Sequence, residues 1–414
     1  MLSVILYGCA ILAFLAVLFE QRWRISKAKS TLFFGCLAWI AMYVAAGGAQ
    51  PEVDAAFRAN ILEIATLWLF LMSTMTFVAY INRRGLLDAM MRWLLPARIS
   101  VKGLFYTITF LAYGFSLFCD NVTTALVATS LVQPLELDTR KRLAFAAAIV
   151  FAVTAGGVAL ITGDVTTLMI FLAGKVRIGN LALLGVAALL SVGLLALLLG
   201  HGMKGDLELA AVYRRWFKPD PVDIVIAVLF PATIVTTMLL NGYFGVPPVL
   251  TFLFGLSIML IVGSYRRRDQ VLHMLDYVRE IEFDSLLFFL GVLLLVGMLA
   301  RVEVLGGLAD LYRVLPAPLC NYLIGLLSAV VGNVPLTAAV LKAGIDMPEC
   351  QWMQLTYGVV MGGTLLATGS AAGIIAMSKI RGLTLPAYGR FFGHLLLAYS
   401  AGYAVVLMMG SLEG

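Results

Sequence analysis

Charge is scarce in this chain: Asp, Glu, Lys and Arg together make up 13% of its 414 residues, while 62% are hydrophobic. With a mean hydropathy of +0.98, its apolar surface exceeds what one water-soluble core of this size could hide. That excludes a soluble globular protein and leaves a polytopic membrane protein. Histidine is nearly absent, and the three copies, His201, His273 and His394, share no metal-ligand spacing and read as surface residues. The five cysteines (Cys9, Cys36, Cys119, Cys320, Cys350) are scattered inside apolar segments and form neither a metal spacing nor a disulfide framework. No Gly-Lys-Ser/Thr phosphate-cradling motif occurs, and neither soluble segment is long enough for a nucleotide domain, which argues against ATP-driven transport; the expectation is a transporter and not an enzyme. The first apolar run, Met1 to Phe19, has no basic residues ahead of it and is followed by Gln21-Arg22-Trp23-Arg24 instead of a small-residue cleavage site. It reads as a first span, not a cleaved signal. The net charge of +6 sits in loops beside spans, where orientation and anionic lipid account for it without nucleic acid.

What the chain does have is long apolar runs. Crossing ~30 Å of hydrocarbon takes roughly 20 helical residues, and such runs lie near 2–19, 31–48, 60–81, 180–200, 222–243, 246–263, 283–301 and 388–409. Two further runs, 142–175 and 351–380, are too long and are interrupted by Gly156-Gly157 with Gly163 and by Gly362-Gly363 with Gly369, so they read as discontinuous helices. Two more, 103–136 and 317–345, are split by an Asn-Val motif into arms too short to cross, and read as re-entrant hairpins. Basic residues fix orientation. Arg83, Arg84, Arg92, Arg98 and Lys102 precede the first hairpin and Arg140, Lys141 and Arg142 follow it, so both its ends face the cytoplasm. The same rule places Arg22, Arg24, Lys27, Lys29, Lys204, Arg214, Arg215, Lys218, Arg266 to Arg268, Lys379 and Arg381 inside. The scheme closes with ten spans, two opposed hairpins and both termini outside.

Two motifs recur across the chain. Asp120 to Ala125 (DNVTTA) matches Gly332 to Ala338 (GNVPLTA), and Thr154 to Asp164 (TAGGVALITGD) matches Val360 to Ser370 (VMGGTLLATGS). The expected architecture is therefore an all-α polytopic membrane protein of two inverted five-helix repeats, residues 1–200 and 222–414, joined by a cytoplasmic linker at 201–221. Each repeat carries one hairpin and one broken helix, the breaks meeting at a site in mid-membrane.

An ionisable group in hydrocarbon costs at least ~2.5 kcal/mol, so each one needs a reason. Asp120 lies at the first hairpin tip beside Asn121, Thr123 and Thr124. A carboxylate with amide and hydroxyl oxygens is the hard-oxygen set that suits a dehydrated alkali cation, although Asp is also a favoured helix N-cap. Asp164 follows the Gly163 break with Thr166 and Thr167 on the next turn, and Thr154 precedes the first glycine pair. Capping again competes, but a cap in hydrocarbon needs no negative charge. Ser328, Asn333, Thr337, Thr368 and Ser370 are the corresponding oxygen ligands of the second half, with hydroxyl bonding back to the helix as the alternative. Glu63 and Asp284 open corresponding spans as supporting acids, where dipole and interface chemistry also explain an acidic residue.

At these residues the sequence resembles the NhaD-type sodium/proton antiporters of the ion-transporter superfamily. The likeness runs through Glu63, Asp120 to Thr124, Gly156-Gly157, Gly163 to Thr167, Asp284 with Leu286 to Gly291, Asn333 to Leu336, and Gly362-Gly363 through Gly373. It implies exchange of cytoplasmic sodium or lithium for external protons, sodium held at Asp120, Asp164 and Asn333, no cofactor, and a homodimer in the bacterial inner membrane. Two departures stand out: Gly332 replaces the family's aspartate before Asn333, and Thr154 stands where the family tends to have asparagine. The expected mechanism is competition of proton and cation for paired buried aspartates with alternating access. The alternatives are sodium-coupled organic anion transport or arsenite efflux on the same fold, and, in other classes, a channel or a membrane scaffold.

Overall fold

The computed structural model describes residues 2–18, 26–48, 50–209, 219–266, 274–301 and 305–412. Arg22, Arg24, Arg214, Arg215, Lys218, Arg267, Arg268 and His273, used above for orientation or surface assignment, lie outside the described residues.

Among the described residues the chain forms twenty α-helices, one 3-10 turn and one two-stranded ladder. The helices are α1 (Leu2–Leu18), α2 (Lys27–Ala45), α3 (Pro51–Arg83), α4 (Leu86–Trp93), α5 (Val101–Ser116), α6 (Asn121–Val132), α7 (Thr139–Gly157), α8 (Val165–Leu172), α9 (Ile178–Gly200) and α10 (Pro221–Phe244). They continue with α11 (Pro248–Arg266), α12 (Leu275–Arg279), α13 (Phe283–Leu299), α14 (Gly306–Val314), α15 (Ala317–Val331), α16 (Asn333–Lys342), α17 (Glu349–Gly362), α18 (Ala371–Lys379), α19 (Leu385–Gly389) and α20 (Phe392–Leu412).

Six helices, α2, α3, α9, α10, α11 and α20, are long and apolar enough to cross a bilayer. The other two continuous runs form α1 and α13, of 17 residues each. The four interrupted runs break at their polar motifs. One gives α5 and α6 on either side of Leu117 to Asp120, and another gives α15 and α16 on either side of Gly332. The glycine pairs separate α7 from α8 and α17 from α18, the second through a 3-10 turn at Gly363–Leu365.

One boundary differs from the hydropathy reading. Helix α3 runs for 33 residues and starts at Pro51, well before the apolar run, so Glu63 lies in its fourth turn instead of opening it. Hydropathy misses this stretch because Glu52, Asp54, Arg58 and Asn60 are polar. Proline in the first turn and acids beside the positive helix end favour the helix all the same. At 1.5 Å per residue α3 is about 50 Å long, so it projects beyond a hydrocarbon slab.

The linker also holds structure. Strand β1 (Arg98–Ser100) pairs antiparallel with β2 (Asp206–Glu208), Ile99 opposite Leu207, and Arg98 forms an ion pair with Glu208 at 3.0 Å.

Packing crosses between the two halves of the sequence. Helices α1, α2 and α3 pack with α10, α11, α12 and α13, while α6 to α9 pack with α16 to α18 and α20. Helices α2 and α13 touch backbone to backbone at Gly35 and Gly291, where a Cβ on Gly291 would lie 2.4 Å from Leu32 N. Three side chains then donate to α13 carbonyls: Trp39 Nε1 to Leu294 O at 2.9 Å, Asn60 Nδ2 to Leu293 O at 3.3 Å and Trp68 Nε1 to Leu286 O at 2.9 Å. On another side α13 packs against α16, which begins at Asn333.

Candidate functional site

The two aspartates at helix breaks first do what aspartate does at a helix start. Asp120 precedes α6 in extended conformation and its Oδ1 accepts from Thr123 N at 2.8 Å; Asp164 precedes α8 likewise, with Oδ1 accepting from Thr166 N at 2.8 Å. Each satisfies an orphan N–H of the new helix. For Asp164 capping is only part of its bonding. It is 8% exposed, and its Oδ2 also accepts from Asn121 Nδ2 at 2.9 Å. Asn333 Nδ2 reaches the same carboxyl from the second half, 3.2 Å from Oδ2 and 3.4 Å from Oδ1. One carboxyl therefore draws together the starts of α6, α8 and α16.

Glycine makes that convergence possible. A Cβ on Gly157 would lie 2.7 Å from Asn121 Oδ1 and 3.0 Å from Gly163 O, and one on Gly156 would lie 2.3 Å from Tyr113 O. Real Cβ atoms do not approach so closely, so only glycine lets the α7 terminus sit against α5 and Asn121. Ser116 Oγ donates to Asn121 Oδ1 at 3.0 Å, which turns the amide nitrogen toward Asp164.

The same contacts recur in the second half with different chemistry. A Cβ on Gly362 would lie 1.9 Å from Gly325 O, and one on Gly363 would lie 3.0 Å from Gly369 O and 3.5 Å from Ser328 Oγ. Ser370 caps α18 as Asp164 caps α8, accepting from Gly373 N at 3.1 Å, with φ/ψ of −131°/148° against −141°/139°. Where the first half has Asp120, the second has Gly332 at φ 93° and ψ 155°, a conformation that L side chains rarely adopt. The missing acid thus accompanies a backbone that favours glycine.

The predicted hydroxyls divide into two groups. Thr154 Oγ1 bonds back to its own helix at Val150 O, 2.9 Å away, whereas Ser328 Oγ donates across to Val359 O of α17 at 2.7 Å instead of back to its own helix. Thr167 Oγ1 reaches Gly157 O at 3.5 Å, and Thr123 contributes its backbone N–H to Asp120. By contrast, the Oγ1 atoms of Thr124, Thr166 and Thr337 are buried with no hydrogen-bond partner among the described residues. An unsatisfied buried hydroxyl costs about 1–3 kcal/mol. Thr368 is exposed.

The supporting acids lie elsewhere. Glu63 forms an ion pair with Lys342 at the end of α16, and Asp284 is exposed in the first turn of α13. Among the described residues neither is hydrogen-bonded to Asp120 or Asp164.

Three charged or polar residues escaped the sequence reading. Ser116 stands five positions before Asn121, as Ser328 stands five before Asn333, so the repeat spacing itself was the signal. Glu282, which precedes α13, has its carboxyl pushed up to about 7 by the neighbouring protein that crowds it and by the charge of Asp120, with Ser285 and Lys27 opposing. Asp223, 4% exposed at the start of α10, accepts from Tyr80 Oη at 2.6 Å and lies 3.5 Å from Arg84 Nε. Its charge has partners in place, and it reads as a structural tie between α3 and α10.

A family profile described as citrate transporter (CitMHS) matches residues 10–373. The chain is 32% identical to a Na(+)/H(+) antiporter NhaD of Alkalimonas amylolytica, over 97% of this chain and 89% of that protein. It is 32% identical to a protein of the same name from Vibrio parahaemolyticus, over 92% of this chain and 98% of the relative. A sodium/proton antiporter 1 of Arabidopsis thaliana is 25% identical, over 97% of this chain and 72% of its own length. With likeness of this depth along nearly its whole length, the chain belongs to the citrate transporter (CitMHS) family and, within it, to the NhaD-type antiporters.

Proposed function

We propose that this protein exchanges cytoplasmic sodium or lithium for external protons across a bacterial plasma membrane, and that Asp164 is the carboxyl for which the two compete. The observation that carries the reading is the convergence on buried Asp164 of an amide from each hairpin tip, Asn121 at 2.9 Å and Asn333 at 3.2 Å. A structural cap needs neither. A buried carboxylate is unstable unless donors, a proton or a metal ion neutralise it, and these three occupants exclude one another. Donation from Asn121 and Asn333 supports the carboxylate between loads. A cation would be met by the same amides turned to present their oxygens, with the unpaired Thr124, Thr166 and Thr337 hydroxyls as candidate further ligands.

The architecture we propose is two inverted repeats, residues 1–200 and 222–414, each with a re-entrant hairpin (103–136, 317–345) and a broken helix (142–175, 351–380). The matched glycine contacts and N-caps support it. Alternating access follows if only the proton-loaded or cation-loaded site crosses the membrane. Asp120 serves as the second acid, and its proximity to Asn121 ties its charge to the same cluster. An anionic substrate is disfavoured, because two aspartates would repel it.

In everted vesicles, Asp164→Asn and Asp120→Asn are each expected to abolish sodium-dependent dequenching of a pH dye at normal protein levels, whereas Ser370→Ala is expected to retain it. Wild-type exchange in both aspartate variants would overturn the assignment.

A further inference from the structure

We propose that the cleft between the ends of α6, α7 and α18 remote from Asp164 binds a phosphate-class oxyanion. The cleft encloses about 500 Å³ and is lined by Ser130, Gln133, Pro134, Arg142, Ile380 and Arg381. This inference stands apart from the cation chemistry and does not depend on it.

Two guanidinium groups face this space with unspent hydrogen-bonding capacity. Arg142, in the first turn of α7, donates through Nη2 to Leu137 O at 3.0 Å and makes no other hydrogen bond among the described residues; its Nε is buried, so the outer guanidinium nitrogens are the ones a ligand in the cleft would meet. Arg381 follows α18 and is exposed. Among the described residues neither has a carboxylate within ion-pairing distance, and the adjacent Asp138 pairs with Lys141 at 3.0 Å instead. Gln133 adds an exposed amide, whereas the Ser130 hydroxyl is spent on Val127 O at 2.7 Å.

The charge balance selects the ligand's sign. The C-termini of α6 and α18 bring roughly half a negative charge each and the N-terminus of α7 about half a positive charge, against two full positive charges from the arginines. The sum is positive by about 1.5 charges, which repels a cation and suits an oxyanion of one or two charges. Guanidinium donors match a tetrahedral oxyanion in geometry as well as charge.

The location gives the site a consequence. Helix α6 starts at Asn121, α7 ends at Gly156-Gly157, and α18 starts after Ser370, so each has one end in the Asp164 region or its counterpart and the other end near this cleft. Helix α18 already packs on α6 and α7. An oxyanion held by Arg142 and Arg381 would tie the first half's helices to the second half's, on the face that the basic loops assign to the cytoplasm. The same chemistry is offered by inorganic phosphate and by an anionic lipid headgroup.

The test uses the purified full-length protein in detergent and follows its unfolding midpoint. Inorganic phosphate is titrated against chloride at matched ionic strength, and short-chain phosphatidylglycerol against short-chain diacylglycerol. The expected result is a saturable rise with at least one of the two. A response to inorganic phosphate identifies a free oxyanion, and a response to the lipid alone identifies a headgroup. Arg142→Gln and Arg381→Gln should each raise the half-saturating concentration at least tenfold, and the exposed position of Arg381 keeps the test decisive if Arg142→Gln folds poorly. No saturable shift beyond the controls, or a wild-type response in Arg381→Gln and in whatever Arg142→Gln protein folds, would overturn the proposal.

Discussion

Replacing Asn333 by alanine probes the contact between the two halves without touching an acid. The amide lies 3.2 and 3.4 Å from the two Asp164 oxygens, long for a charge-assisted bond. Its contribution should therefore fall near the low end of the range for hydrogen bonds to charged groups, about 1.5 kcal/mol. The amide donates to the empty ionised carboxyl and, in the proposed cation-loaded site, presents its oxygen to the cation. Its loss therefore weakens both ionised states against the protonated one and makes the proton a stronger competitor for Asp164. By linkage, 1.5 kcal/mol corresponds to about one pH unit, or a factor of roughly 12. The pH at which sodium and protons compete equally should then move about one unit alkaline, and at a fixed pH low enough for protons to fill the site the half-saturating sodium concentration should rise about tenfold. The maximal exchange rate at high pH and saturating sodium should change little. Dequenching of a pH dye in everted vesicles, measured from pH 6.5 to 9.5 across a sodium series, reads both quantities. An unshifted profile, or one displaced toward acid, would refute the claim that Asn333 supports the ionised carboxyl.

Further predictions follow from other contacts. Gly157→Ala would place a Cβ 2.7 Å from Asn121 Oδ1 and should lose exchange while the protein still reaches the membrane; Gly193→Ala, with nothing within 4 Å, should behave as wild type in the same vesicles. Glu282 is neutral below about 7 and anionic above it, the raised value reflecting crowding by the protein and the charge of Asp120, while Lys27 and Asp284 also act on it. Glu282→Gln should therefore leave exchange unchanged near pH 6 and raise the half-saturating sodium concentration several-fold above pH 8, where the wild type gains a carboxylate that attracts cations. Tyr80→Phe removes a donor to buried Asp223 at 2.6 Å and should lower stability by about 1–3 kcal/mol in a thermal melt, with sodium affinity and pH profile intact.

The breaks were legible because each is a local event. A glycine pair or an Asp-Asn step inside an apolar run announces itself without knowledge of its neighbours, and the runs around 142–175 and 351–380 divide at those residues. What sequence could not give were facts that depend on distant partners. Hydropathy averaged over a window erased the first turns of α3, whose helical start rests on Pro51 and nearby acids. The amide donation from Asn333 to Asp164 joins residues 169 apart, and the tie between Tyr80 and Asp223 spans 143, so neither leaves a periodic trace. Glycine at 332 looked like a lost ligand, whereas its φ of 93° makes it a backbone requirement too. The short β1–β2 ladder was hidden because three-residue strands carry almost no pattern.

The close seam between α2 and α13 sets a schedule for biogenesis. Trp39 donates to a carbonyl 255 residues further along the chain, in the helix whose Gly291 meets Gly35. At a synthesis rate of about 5–20 residues per second, α2 waits roughly 13–50 s in the lipid with its glycine groove and indole uncovered. Through that interval the nascent first half has only its own helix contacts and the bilayer to hold it, which makes it the stage at which a membrane chaperone or a quality-control protease has its longest access.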